Sequence, residues 1–201
     1  AVVARATPEQ AMNVIVNMLS AFGLSTAAGL NAYLPLLVVG LLGRYTNLIH
    51  LNEPFSLLTN PVVLLVIAVL ALLDFIGDKI PAVDHTLHAA GLVVAPIAGA
   101  ILFMAASSGT GNVSPLLAAI CGIIVAGGTH SARAAARPLA TVSTAGVANP
   151  VISFFEDVVS LVLSVLSVLV PVLAFLLVIF FAILMVLLFR RLWSRRRDPA
   201  S

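Results

Sequence analysis

Long apolar stretches, separated by short polar or proline-containing segments, make up most of this chain. Stretches such as 62–73 and 172–189 do not alternate apolar and polar residues, as a membrane-spanning β-strand would. An α-helix needs about 20 predominantly apolar residues to cross the hydrocarbon core of a bilayer. The pattern therefore predicts an all-α fold: a polytopic bundle of membrane-spanning helices.

Helix-start and helix-stop signals divide the chain into six predicted crossings. Asn60-Pro61, Ser114-Pro115 and Asn149-Pro150 each place a capping residue before a proline that fits the first turn of a helix. Pro171 divides a stretch that as one helix would be roughly 60 Å long, about twice the hydrocarbon thickness. Residues 1–192 are predicted to form one transmembrane domain, and 193–201 a basic tail. The predicted crossings cover residues 10–43, 61–79, 85–106, 115–137, 150–169 and 172–190.

The first crossing is predicted to be broken. Its apolar stretch 11–22 is too short to cross alone, and a second apolar stretch follows at 30–43. Between Gly23 and Gly29 lie small and polar residues, which are tolerated at membrane depth where the backbone faces protein or water. We expect the interruption there, giving either a helix at the interface or two half-helices of one span.

Composition excludes a water-soluble domain. Charged residues make up 9% of the chain and hydrophobic residues 61%, with a mean hydropathy of +1.17, whereas soluble domains carry about 25% charged residues. Half of the ten basic residues lie near the end of the chain, at Arg190, Arg191, Arg195, Arg196 and Arg197.

These arginines predict a cytoplasmic tail, because basic residues are retained on the cytoplasmic side of a membrane. Six crossings then place both termini in the cytoplasm of a multi-pass protein of the cell inner (plasma) membrane. The partner expected on composition is the lipid bilayer, with anionic lipids possible at the tail. A basic cluster after a membrane helix does not indicate nucleic-acid binding.

Two parts of the chain repeat one order of features: a helix with a proline, a loop, an Asn-Pro helix start, and a helix with two acidic residues. In the first part these are Pro35, Asn60-Pro61, Asp74 and Asp78; in the second they are Pro138, Asn149-Pro150, Glu156 and Asp157. One crossing lies between them, which would give the two units opposite orientations. Inverted repeats are typical of secondary transporters, although a duplication without transport would give the same pattern.

Ionisable residues are concentrated within the predicted spans, where each costs about 2.5–3.5 kcal/mol on insertion scales. The acids of 61–79 and 150–169 complement the bases of 115–137, so we expect them to pair. Three readings stay open: interhelical ion pairs without a transport role, a hydrated vestibule with a proton or ion site, and a divalent-metal site of Asp, Glu and His ligands. The candidate substrate- or ion-binding residues are Asp74, Asp78, Lys79, Asp84, His88, His130, Arg133, Arg137, Glu156, Asp157, Ser160 and Ser164.

Three stretches resemble an uncharacterised family of small bacterial integral membrane proteins, classed as a domain of unknown function. They are 29–35 (Gly-Leu-Asn-Ala-Tyr-Leu-Pro), 78–84 (Asp-Lys-Ile-Pro-Ala-Val-Asp) and 149–157 (Asn-Pro-Val-Ile-Ser-Phe-Phe-Glu-Asp). The resemblance covers roughly residues 20–175 and implies the membrane fold. The family often has an Arg-Pro pair in both halves; Arg137-Pro138 fits this pattern and Ala95-Pro96 does not.

Motifs of enzyme chemistry are absent from the sequence. It has no Gly-rich phosphate loop, no Gly-x-Ser-x-Gly and no His-Glu-x-x-His, so we expect neither an enzyme nor a cofactor. The leading hypothesis is a small membrane transporter or channel-like protein for an ion or small solute, with proton coupling as one option. The alternative is a non-catalytic membrane subunit or assembly factor, with a membrane-protein partner or a second copy against it.

Overall fold

Seven α-helices account for most of the described part of the chain. The computed structural model describes residues 7–78, 81–110, 113–144 and 149–197, without the side chains of 81–88, 110, 138–144, 185, 188–189 and 191–197. The described part has no β-strand, which confirms the predicted all-α bundle. The helices are α1 (Pro8–Leu30), α2 (Tyr33–Tyr45), α3 (Pro61–Gly77), α4 (Pro81–Ser107), α5 (Pro115–Thr144), α6 (Asn149–Leu169) and α7 (Pro171–Arg197).

Four helical segments of the described chain are long and apolar enough to cross a membrane: Pro8–Leu30, Ala89–Ser107, Pro115–Arg137 and Asn149–Leu169. Three shorter apolar helices accompany them: Tyr33–Tyr45, Pro61–Gly77 and Pro171–Leu184. The chain is therefore a membrane-embedded helical protein. The number of helices differs from the six predicted crossings because residues 10–43 form two separate helices.

The predicted break in the first element exists, but its predicted position is wrong. Helix α1 is continuous through Gly23 and Gly29, and the helix ends at Asn31, whose backbone is extended (φ −144°, ψ 120°). The two glycines instead allow close packing: a Cβ at Gly23 would collide with Ser167 of α6, and one at Gly29 with Thr129 of α5. Small residues of this kind let membrane helices approach each other closely.

The side chain of Asn31 then starts the next helix. Its Oδ1 accepts hydrogen bonds from the backbone N–H groups of Tyr33 at 3.0 Å and Leu34 at 3.1 Å. These are N–H groups of the first turn of α2, which have no partner within the helix. One asparagine thus ends α1 and caps α2.

Helix α2 folds back along α1. Asn31 lies at one end of the α1–α2 pair. At the other end, Gly40 packs against Leu58, and Arg44 donates a hydrogen bond to the Thr59 carbonyl at 2.9 Å. Helices α3 to α7 continue this alternation of direction. Helix α7 runs in the direction of α1, since Pro171 borders the same cavity as Asn17 and Ser20 while Val178 packs beside Ala27.

Because residues 10–43 form two antiparallel helices, the start of α1 and the end of α7 lie at opposite ends of the bundle. Which side of a membrane each terminus faces stays a prediction. The inverted repeat stays a prediction. Any two helix pairs separated by one helix run in opposite directions in an alternating bundle, so direction alone does not identify a duplication.

Candidate functional site

Two arginines and two carboxylates meet where α3, α5 and α6 approach each other. Arg133 lies 3.1 Å from Asp78 (Nη2 to Oδ2) and 2.6 Å from Glu156 (Nε to Oε2). Arg137 Nη2 lies 3.4 Å from Asp78 Oδ2 and 2.8 Å from Glu156 Oε2. We call these four residues the ion-pair cluster. The structure confirms the predicted pairing of acids from 61–79 and 150–169 with bases from 115–137.

The ion-pair cluster is also hydrogen-bonded to its surroundings. Ser153 of α6 donates to Asp78 Oδ2 at 2.5 Å, and Arg133 Nη1 donates to the Leu30 carbonyl oxygen at the end of α1. The last carbonyls of a helix lack partners within the helix, and a positive charge there is favourable. The arginine side chains are 8% exposed and that of Asp78 is 5% exposed. The Glu156 side chain is more accessible, at 17%. The cluster therefore connects α1, α3, α5 and α6 through mostly buried side chains.

A second polar group lies beside the first. Asn31 Nδ2 donates to Asp74 Oδ2 at 3.1 Å and to Asp157 Oδ1 at 2.9 Å. We call Asn31, Asp74 and Asp157 the amide bridge. Asp74 is one helical turn before Asp78, and Asp157 follows Glu156, so the amide bridge and the ion-pair cluster share two helices. Together they bring carboxylates from α3 and α6 against the end of α1.

A small cavity borders both groups. Its volume is about 40 Å³, which is room for a few water molecules at most. The imidazole of His130 forms part of its wall and fits against Gly91 of α4, where an added Cβ would lie 2.5 Å from Cε1. The polar side chains at this cavity are Asn31, Tyr33, Asp74, Asp78, His130 and Arg133.

A larger cavity of about 410 Å³ lies toward the opposite end of the bundle. Its polar lining comes from Asn17, Ser20 and His50, and most of the remaining lining is apolar. Between the two cavities is a group of buried apolar side chains that we call the apolar layer. It consists of Leu24, Leu36, Val39, Ala98 and Leu102.

The structure groups most of the predicted site residues. The ion-pair cluster and the amide bridge contain six of them, and His130 lines the small cavity. Ser160 donates instead to the Ala27 carbonyl at 2.9 Å, and Ser164 to the Ser160 carbonyl at 2.6 Å. These serines satisfy their hydroxyls on backbone within the α1–α6 contact and line neither cavity.

Three predicted site residues lie outside the described features. Lys79 is not among the described residues, and Asp84 and His88 belong to α4 in the part whose side chains are not described. For the described residues, no group of three or more His, Cys, Asp or Glu side chains could hold a metal ion.

Sequence reasoning missed Asn31 and Ser153. Both are neutral, whereas most of the predicted site residues are ionisable. The signal for Asn31 was its place between two apolar stretches, because asparagine commonly caps a helix. Its contacts to two carboxylates from distant helices could not be read from the chain.

Comparison with known proteins identifies the family. Residues 18–191 match the family model described as a domain of unknown function, DUF4126. Because this match covers most of the chain, the protein belongs to that family, and the resemblance to an uncharacterised family is confirmed. No curated protein matches the chain. No solved structure matches it.

Proposed function

We propose that this protein is a small membrane transporter or channel-like protein, which moves an ion or small solute between the two ends of its helical bundle. The observation that carries the proposal is the order of features along the bundle. A large cavity at one end, the apolar layer, and a small cavity with charged walls follow one another. This is the arrangement of a permeation route that is closed in its middle.

The closed part of this route is thin. Along α1, Ala28 borders the small cavity and Leu24 the large one, a separation of one turn or about 6 Å. Along α4, Ala95 and Leu102 border the two cavities seven residues apart, or about 10 Å. The hydrocarbon core is about 30 Å thick. Opening therefore requires displacement over only one or two helical turns, and shifts of one turn between packed elements occur in conformational switches.

The placement of the charges supports the same function. Charged residues within membrane helices face the bundle interior or water, and they commonly mark ion pathways. Here Asp74, Asp78 and Arg133 line the small cavity. Glu156 and Asp157 of α6 do not line it but contact Arg133 and Asn31, which do. The small volume of this cavity favours an ion or a very small solute at this point of the route.

The charge distribution orients the route. Among the described residues, Arg133, Arg137 and the five arginines after position 189 belong to the end of the bundle with the ion-pair cluster. Arg44 lies at the other end. The positive-inside rule then places the small cavity toward the cytoplasm and the large cavity toward the outside of an inner-membrane protein. In this topology the start of α1 is outside, and anionic lipids can bind the basic segment of α7.

The inverted repeat belongs to this proposal as well. In the seven-helix order, α2–α3 would correspond to α5–α6, with an Asn-Pro start on the second helix of each unit. A displacement of one pair against the other would exchange access between the two cavities.

One observation favours the alternative function, a membrane subunit or assembly factor. The outward face of α3 is broadly apolar and exposed, including Val62, Leu65, Val69, Leu72 and Ile76. Such a face can contact lipid or another membrane protein. Transport by the isolated protein separates the two functions, because a subunit would not transport alone.

A flux assay on the purified protein tests the proposal. The protein is reconstituted into liposomes, and dissipation of imposed H⁺, Na⁺, K⁺ and Cl⁻ gradients is followed with entrapped fluorescent indicators. The blocking variant is Val39→Trp, since Val39 is 2% exposed and borders the large cavity. The matched control is Val69→Trp, on the lipid-facing side of α3 with 48% exposure.

We expect the unmodified protein and Val69→Trp to dissipate at least one gradient faster than protein-free liposomes, and Val39→Trp to reduce that rate at least tenfold. Equal flux through Val39→Trp and Val69→Trp, with both variants folded, would remove the permeation route. Absence of flux of every ion from the unmodified protein would favour the subunit function.

A further inference from the structure

We propose that the large cavity is a binding site for an uncharged, amphipathic small molecule, whose apolar body fills the cavity and whose hydroxyl or amide group bonds to Asn17 and Ser20 of α1. This inference goes beyond the proposed function, because binding can be measured on a protein that transports nothing. One consequence rests on that function. The ligand would displace the water through which an ion crosses the cavity, so it should slow the flux.

The cavity exists because small residues face α1 from the end of α4. Ala105 and Ala106 line it, and so does Gly109, where an added Cβ would lie 3.7 Å from Asn17 Nδ2. Asn17 and Ser20 lie three residues apart and therefore on one face of α1. The volume of about 410 Å³ falls within the range of small-molecule pockets, about 300–1,000 Å³.

The wall of the cavity has the composition of a small-molecule site. Most of its side chains are apolar, among them Leu24, Val39 and Leu102, and a few polar side chains accompany them. Pockets for small molecules combine an apolar lining with a small number of polar groups that fix the orientation of the ligand. Water that lies against the apolar side chains cannot hydrogen-bond to them, and an apolar group that displaces such water gains affinity.

The side chains of Asn17 and Ser20 are suited to bind the polar end of the ligand. Both residues are partly buried, and neither side chain forms a hydrogen bond to another described residue. The asparagine amide donates and accepts, and so does the serine hydroxyl. A ligand hydroxyl or amide group can therefore pair with them, whereas a purely apolar ligand would leave both without a partner.

The charge of the wall favours an uncharged ligand. No Asp, Glu, Lys or Arg is among the described residues that line the cavity, and His50 is the one lining side chain there that can carry a charge. A charged group that replaced the cavity water would lose its hydration without gaining an opposite charge, which is costly. An ion in transit would keep its water and avoid this cost. His50 and Gly109 are exposed, so the ligand has access from this end of the bundle.

Photolabelling of the purified protein in liposomes tests the proposal. The probe is octanol with a photoreactive diazirine on its chain, and labelled peptides are identified by mass spectrometry. The test variant Asn17→Leu nearly keeps the size of the side chain but removes its hydrogen-bonding groups. The matched control is Asn13→Leu, at an exposed position one turn earlier that does not line the cavity. Val39→Trp, which fills part of the cavity, and Val69→Trp form a second pair.

We expect saturable labelling within residues 16–24 and 102–109. Unlabelled octanol should displace the probe at least tenfold better than ionised octanoate or octyltrimethylammonium. Asn17→Leu should weaken probe binding about twofold to tenfold, the effect of one net hydrogen bond, and Asn13→Leu should not change it. Val39→Trp should abolish saturable labelling, and Val69→Trp should retain it.

Displacement by monooleoylglycerol as well as octanol would identify a membrane lipid as the source of the ligand, and displacement by octanol alone a molecule from the water; both results support the site. The proposal would be overturned by labelling that does not saturate, by octanoate that displaces the probe as well as octanol does, or by equal probe binding to Asn17→Leu and Asn13→Leu. Size-exclusion profiles confirm that the variants are folded, and Asn17→Leu decides the question if Val39→Trp is not. Saturable labelling without ion flux would leave the ligand site standing while removing the proposed function.

Discussion

Replacement of Arg133 by alanine should destabilise the fold more than any change at a surface arginine. Arg133 contributes contacts to Asp78, Glu156 and the carbonyl of Leu30, and its side chain is 8% exposed. Its loss leaves the buried carboxylate of Asp78 and the partly buried one of Glu156 with Arg137 as the remaining arginine of the ion-pair cluster. The carbonyl at the end of α1 also loses a donor.

The expected magnitude follows from this arrangement. Removal of one partner of a buried ion pair costs about 3–5 kcal/mol, because the remaining charge stays buried without compensation. Part of that cost is relieved here, since Ser153 still donates to Asp78 and Arg137 still contacts both acids. We therefore expect a loss of about 3 kcal/mol in the free energy of unfolding, at the lower end of that range. The control Arg44→Ala removes an exposed arginine, for which changes of about 0–1 kcal/mol are typical.

Equilibrium unfolding in mixed micelles with increasing denaturing detergent measures these differences. A double-mutant cycle with Glu156→Gln then isolates the pair. Glu156→Gln should destabilise the unmodified protein but restore some of the stability of Arg133→Ala, because it removes one of the carboxylates left in excess. The reasoning would be refuted if Arg133→Ala and Arg44→Ala changed stability equally, or if the effects of Arg133→Ala and Glu156→Gln were additive.

Two further predictions concern packing and topology. Gly91→Ala should lower the free energy of unfolding by about 1–3 kcal/mol, because the new methyl group meets the imidazole of His130. The control Gly128→Ala adds a methyl group that meets nothing within 4 Å, so it should leave the free energy of unfolding unchanged or raise it by up to about 1 kcal/mol. Equal unfolding midpoints for the two variants would contradict this packing. In a cysteine-free background, a membrane-impermeant maleimide added to intact cells should label Glu9→Cys and should not label Arg190→Cys; labelling of both from the same side would contradict the seven-helix alternation.

The fold class and the pairing of the charged residues could be predicted from the sequence, because the alternatives to both have a large free-energy cost. A chain with so few charged residues must place its apolar surface in lipid, and helices satisfy their own backbone there. Buried charges of opposite sign on Arg133, Arg137, Asp78 and Glu156 had few other ways to be stabilised. These costs determine the apolar stretches and the complementary charges of the sequence, so both features could be interpreted without a structure.

The position of the helix break and the role of the serines could not be read in this way. Gly23 and Gly29 are suited both to breaking a helix and to close helix packing, and only the positions of Ser167 and Thr129 decide between these uses. A serine at membrane depth can face a ligand or bond the preceding turn of its own helix; Ser164 does the latter.

The role of Asn31 depended on contacts distant in sequence. A cap for α2 could be expected of an asparagine at a helix boundary. Its bridge to Asp74 and Asp157 joins residues 43 and 126 positions away. The course of three helices through the bundle fixes that bridge, and no local pattern encodes it.

The central claim is that the charged end of the bundle carries out transport and does more than hold helices together. Its most direct test is the ion flux of Asp74→Asn in liposomes, measured together with its unfolding free energy. Asparagine nearly preserves the shape of the side chain and can still accept from Asn31, so the variant should stay within about 1 kcal/mol of the unmodified protein. We expect this folded variant to lose the ion flux that the unmodified protein shows. Undiminished flux through folded Asp74→Asn would contradict it.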